Sequence, residues 1–208
     1  MTHSSSVLLL AGAADPAGQR IASAVLAAGG KVAAAVSRAW QVDKLRESLG
    51  ADVGSHLLVG VVTAGDAQAA AGFVKGAKDA LGVITHFAGA SQLLRERVAG
   101  REPAGDSDEL LAANLNTNAT LCRAVLSAMR RRKAGRLLFV AAPDSTEALS
   151  VTCRVSLAAL AEFAAAIAAD LVDTGIGVET VPALAGLAVE DPHMARWLRA
   201  VAPIATGS

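Results

Sequence analysis

Two rhythms of apolar and polar positions alternate along this chain. Short runs, such as residues 7–10 (VLLL) and Lys31–Val36 (KVAAAV), are apolar at nearly every position and read as buried strands. Between them lie longer stretches with helical spacing, closed by glycines and opened by capping residues. Strands are predicted at residues 7–10, 31–36, 56–62, 83–87, 136–140 and 177–181. Helices are predicted at 16–28, 41–49, 66–81, 106–133, 151–172 and 192–201. Gly29-Gly30 and Gly82 are good stops for the first and third helices, and Gly135 for the fourth. Asp106 with Glu109 three residues on has the form of a capping box.

Regular strand–helix alternation implies an α/β fold: a Rossmann-type, doubly wound parallel sheet of about six strands, with helices on both faces. The glycine-rich turn after the first strand puts a ligand crevice at the carboxyl ends of the strands. No linker, internal repeat or low-complexity stretch divides the sequence, so residues 1–208 read as one domain.

Composition narrows the classes of partner. The chain is 53% hydrophobic with a mean hydropathy of +0.44, much of it from alanine and 19 glycines, which favours close helix packing and buried oligomer contacts. Lys plus Arg and Asp plus Glu balance at 19 each, so no global field attracts nucleic acid or an anionic membrane. The basic run Arg130–Lys133 stands at a predicted helix end without interleaved aromatics, which does not read as a nucleic-acid site. No stretch reaches the ~18 uncharged apolar residues expected of a membrane span. The leader MTHSSS carries no Lys or Arg ahead of the apolar run, unlike a signal peptide. Two cysteines, Cys122 and Cys153, and four scattered histidines make neither a disulfide framework nor a metal site, and a cytoplasmic location is expected.

The candidate chemistry starts at AGAADPAGQR, residues 11–20. Gly12 and Gly18 are spaced to let backbone approach a phosphate at a helix N-terminus. Asp15 and Pro16 also start a helix well on their own account, as N-cap and first helical residue. A capping carboxylate there opposes an anionic ligand by roughly 0.3–1 kcal/mol. Both readings stay open on these residues.

Several segments in order resemble the short-chain dehydrogenase/reductase family over nearly the whole chain. Residues 11–22 resemble the family's TGxxxGxG turn, and Phe87-Ala88-Gly89 its NNAG motif. ELLAANLNTNATLCRAVL (residues 109–126) is similar to the helix bearing the catalytic asparagine, which falls on Asn114. GRLLFVAA (residues 135–142) looks like the strand that ends in the catalytic serine. Residues 157–181 resemble the helix and strand after the family's YxxxK.

The resemblance implies hydride exchange with a nicotinamide cofactor, using tyrosine, lysine, serine and asparagine. Counted back from Gly175, the tyrosine position falls on Cys153 and the lysine position on Leu157. The serine position falls on Ala142, beside Ala141; only Asn114 is kept. The chain has no tyrosine, so no realignment supplies that general acid and tyrosine-dependent hydride transfer is excluded. In the cofactor site, Gly12, Gly18 and Gly89 match. The middle glycine is Pro16, His86 and Phe87 replace the paired asparagines, and Val61 stands for the aspartate near adenine. Arg38 closes the second strand where NADP-preferring members carry a base, and it also reads as a solvated turn residue. The resemblance further implies a substrate-covering segment, for which residues 183–190 leave little room. The chain stops at ATGS, about where a seventh strand is expected.

The expectation is therefore a family member without standard dehydrogenase activity: a non-catalytic subunit or a weak nucleotide binder, with NADP or no cofactor at all. The alternative is an NADP-dependent oxidoreductase or other enzyme using Asn114 and Cys153, with His86 or Ser150, in an open crevice. Cys153 also reads as a plain buried thiol, and Asn114, Asn116 and Asn118 as residues accommodating a kink. The apolar helix around residues 157–171 needs cover on more than one side. The resemblance implies a homo-oligomer through helices 106–133 and 151–172, or pairing with an active relative.

Overall fold

The computed structural model describes residues 6–94, 96, 106–141, 147–182 and 197, with the side chains of 51–53, 106, 141 and 182 excepted. Its six strands are β1 (Val7–Ala11), β2 (Lys31–Val36), β3 (Leu57–Val61), β4 (Ile84–Gly89), β5 (Gly135–Ala141) and β6 (Ile176–Pro182). They form one parallel sheet in the order β3-β2-β1-β4-β5-β6. Helices α1 (Pro16–Ala27), α2 (Trp40–Leu49), α3 (Ala67–Leu81), α4 (Asp106–Leu111), α5 (Thr117–Arg132) and α6 (Val151–Asp170) make the crossovers. The chain turns outward to opposite sides from β1 and β4, and that reversal opens a crevice at their carboxyl ends. Ala11 pairs with both Ala35 and Gly89, so the three strand ends bordering the crevice are level.

Side-chain alternation divides the core into two layers. Val7, Leu9 and Ala11 face α3, α5 and α6 with Phe87, Leu121, Val125, Met129 and Leu160. Leu8 and Leu10 face α1 and α2 with Ile21, Val25, Leu45 and Trp197. Every residue of β1 is fully buried, and each buried leucine contributes roughly 1.5–3 kcal/mol.

Three details differ from the sequence reading. The helix expected over 106–133 is divided: residues 112–116 form a π-helical stretch between α4 and α5, centred on Asn114. Gly135 opens β5, while α5 is closed by Lys133, which takes the left-handed conformation itself at φ 52°. Asp106 is the first residue of α4, not a residue ahead of it, and its side chain lies outside the described residues. The segment 183–190 and the helix expected at 192–201, apart from Trp197, also lie outside the described residues.

Helix α6 has the length and mean hydropathy (1.6) of a membrane-crossing helix, although Arg154, Glu162 and Asp170 interrupt it, so no run of ~18 uncharged apolar residues occurs in it. In this fold Cys153, Ser156, Leu157, Leu160 and Ala164 are buried on one side of it.

Candidate functional site

The crevice at the switch between β1 and β4 has a volume of about 500 Å³. Ser37, Arg38 and Gln41 line its wall beyond β2, and Thr63 and Ala64 its wall beyond β3. On the other bank stand Asp15, Ser91, Gln92, Leu93, Glu109, Ala112, Ala113 and Thr117. Gln41 Oε1 accepts from the Ser37 N–H (3.1 Å), the Ser37 hydroxyl (3.1 Å) and the Arg38 N–H (2.9 Å), which fixes the turn after β2. Arg38 is exposed beside that turn. A guanidinium in this place suits a ribose 2′-phosphate.

The glycine turn is built differently from a phosphate cradle. A Cβ on Gly12 (φ 70°) would collide with the backbone of Ser91, and one on Gly18 with the carbonyl of Gly12. Both glycines are thus used for packing inside the protein, as the tight-turn and helix-packing glycines of a dinucleotide fold are. The third such glycine, which lets backbone approach the diphosphate, is Pro16, and its nitrogen has no proton to offer. Asp15 occupies the N-cap position of α1 but makes no capping bond. Its Oδ2 accepts instead from the Gln92 N–H at 3.0 Å, across the crevice mouth. Burial pushes the Asp15 carboxyl up to about 6, partly offset by that hydrogen bond. These residues fit the adenosine end of a dinucleotide and do not fit its diphosphate.

The loop after β4 is held at three consecutive residues. Asn118 accepts from the Ser91 N–H (3.2 Å) and donates to the Ser91 carbonyl (2.9 Å). Asp15 holds Gln92, and Asn114 accepts from the Leu93 N–H and donates to the Leu93 carbonyl. Asn114 and Asn118 are both fully buried, four residues apart on one helical face. The π stretch widens the helix there, and Asn118 Nδ2 takes up the Asn114 carbonyl at 3.0 Å.

Beneath that loop lies a small apolar cluster of Leu110, Leu149, Cys153 and Leu157, with Leu93 against it. Cys153 is fully buried, its Sγ 3.6 Å from the Leu93 carbonyl, and Ser150 caps α6 by accepting from the Cys153 N–H. Ser156 closes the network: its hydroxyl donates to the Cys153 carbonyl and accepts from Asn114 Nδ2, each at 2.8 Å.

The sheet order, the level strand ends at the switch point and the match of residues 6–186 to the short chain dehydrogenase family model together decide the family. The chain belongs to the short-chain dehydrogenase family. The family is one of oxidoreductases. D-threitol dehydrogenase of Mycolicibacterium smegmatis is 31% identical over 145 residues, which is 69% of this chain and 55% of that protein. The matched part thus spans little more than half the length of that curated relative. Among solved structures, a short-chain dehydrogenase from Streptomyces avermitilis matches with a TM-score of 0.71 at 19% identity, over 94% of this chain and 75% of that one. A short-chain type dehydrogenase/reductase from Mycobacterium marinum gives 0.75 at 20%, over 86% and 74%. NAD+-bound xylitol dehydrogenase gives 0.74 at 20%, over 88% and 72%. At such identities the likeness is one of fold.

Within this member of the family, the residues singled out from sequence fall in separate places. Arg38 lines the crevice. Gly12 and Gly18 lie behind it, and Gly89 is packed against Phe139 and the Asn118 amide. Asn114 and Cys153 come together through Leu93 and Ser156, below the crevice and not on its lining. His86, expected to face the crevice, is not on its lining. It shares the α1/α2 side with Leu8 and meets the Trp197 ring edge-on at 5.6 Å. Burial, with Arg136 nearby, brings its pKa down to about 4. Ser156 and the Asp15–Gln92 bond escaped the sequence reading. A serine at the sixth position of the apolar α6 was the only local sign of the first, and the second joins residues 77 apart.

Proposed function

We propose that this chain is a short-chain dehydrogenase-family protein that does not carry out the family's hydride transfer and works as a non-catalytic subunit with a weak nucleotide-binding crevice. The observation that carries this reading is the filled apolar cluster at the catalytic position. Cys153 stands where the resemblance puts the tyrosine and Leu157 where it puts the lysine, both fully buried with Leu110 and Leu149. A general acid must come within hydrogen-bond reach of the substrate oxygen, and a thiol with no exposed surface does not. Asn114, the remaining member of the set, commits its amide to Leu93 and Ser156.

Family membership and the NAD+-bound neighbour support a nucleotide in the crevice, and Arg38 just beyond β2 favours a 2′-phosphate, hence NADP over NAD. The apolar outer face of α6 supports association through α5 and α6, with a second copy or an active relative. The test is an assay of the purified chain with NADPH and NADH against carbonyls and polyols. D-threitol and xylitol are included because relatives are named for them. The expected outcome is no substrate-dependent change in nicotinamide absorbance above a heat-denatured control. Stereospecific hydride transfer would overturn the reading.

A further inference from the structure

In an α/β domain of this topology the diphosphate of a dinucleotide meets the turn after β1 and the N-terminus of the following helix. Asp15 stands in that turn. Its carboxylate is half-buried and bonds the Gln92 N–H at 3.0 Å instead of its own helix. Pro16 removes a donor from the same place, and the backbone of Ser91 fills the space left by Gly12. The head of α1 thus already holds an anion, and the anion belongs to the protein.

We propose that Asp15 is an internal competitor for a diphosphate, so that the crevice discriminates against dinucleotides and in favour of nucleosides that lack one. The inference rests on the reading of the crevice as a nucleotide site and names the ligand class it selects. An entering diphosphate must break the Asp15–Gln92 bond and then lie against the freed carboxylate. The nucleoside end, beside Arg38, Gln41 and Thr63, is unaffected. Arg38 beyond β2 and Glu109 on α4 are the other charged groups on the crevice wall among the described residues. Because burial holds the Asp15 carboxyl at about 6, acidification through that value removes the competing charge and admits the diphosphate. Affinity for a diphosphate therefore rises as pH falls.

Calorimetric titration of the full chain with ADP-ribose and with adenosine, at about pH 8 and about pH 5, tests this directly. ADP-ribose keeps the charge of its diphosphate over that range and carries no 2′-phosphate. Asp15→Asn removes the charge and keeps an acceptor for the Gln92 N–H. Asp15→Ser provides a second uncharged variant should the first not fold. At about pH 8 the uncharged variants should bind ADP-ribose about two- to fivefold tighter than the wild type. At about pH 5 the wild type should recover most of that difference. Adenosine should bind all of them alike. Equal ADP-ribose affinity in wild type and variants at both pH values would overturn the competition. Failure of every protein to bind adenosine or ADP-ribose at either pH would overturn the nucleotide reading beneath it, and the competition with it.

Discussion

Asp15 is half-buried and His86 buried, and the loss of solvent moves the two groups in opposite senses. The Asp15 carboxyl is raised from 3.8 to about 6, so between those values the folded protein binds the extra proton. Its contribution to stability therefore grows on acidification through that window. The His86 imidazole is lowered from 6.5 to about 4, so there the unfolded chain binds the extra proton and acidification costs stability. In the wild type the two contributions oppose each other. Urea unfolding at about pH 6.5 and about pH 4.5 separates them. Asp15→Asn should lose stability on acidification more steeply than the wild type, and His86→Leu less steeply or not at all. Parallel slopes in all three proteins would refute the assignment of both groups. Neither environment is written locally in the sequence. DPAG reads as a good helix start, and only the arrival of Gln92 from the end of β4 turns the carboxylate away from it. His86 follows Thr85, which the register between β1 and β4 skips, and its pairing with Leu8 decides which face it joins.

At the scale of elements, strand positions were legible because central parallel strands are apolar on both faces, so Val7–Ala11 and Lys31–Val36 stand out with no alternation to interpret. Helix interiors were legible from spacing, but two of their details were not. The π stretch at residues 112–116 leaves only a run of asparagines in the sequence. Asn118 and Thr117 there take up the carbonyls of Asn114 and Ala112 (3.0 and 2.9 Å), a task that shows only in three dimensions. The end of α5 was read at Gly135, since glycine is the usual left-handed stop, yet Lys133 adopts that conformation with its N–H on the Arg130 carbonyl. A non-glycine residue in this region pays roughly 1 kcal/mol. Lys133→Gly should therefore raise stability by about 0.5–1 kcal/mol, read as a higher urea midpoint at unchanged m-value. No change or a loss would mean that the lysine makes a compensating contact.

For the whole molecule, the α/β topology was legible, while the apolar cluster around Cys153 and Leu157 was not. Leu110, Leu149 and Leu157 come from three separate segments, and each alone is an ordinary core residue. The outer side of α6 is the counterpart of that burial: Val155 is 58% exposed on a helix of high mean hydropathy. An apolar helical face of this kind ordinarily finds cover. Light scattering of the purified chain at tens of micromolar should report a dimer or larger assembly. Val155→Glu should shift it towards monomer with the circular dichroism spectrum unchanged. A monomeric wild type would remove α6 as an assembly surface. The crevice has its own mechanical asymmetry. Its bank at Ser91–Leu93 is fastened residue by residue to Asn118, Asp15 and Asn114, as firmly as a strand is fastened to its neighbour. On the opposite bank Gln41 restrains Ser37 and Arg38, so a guest that leaves the Asp15–Gln92 bond intact is accommodated there. Arg38 stands on the less densely fastened side of the crevice.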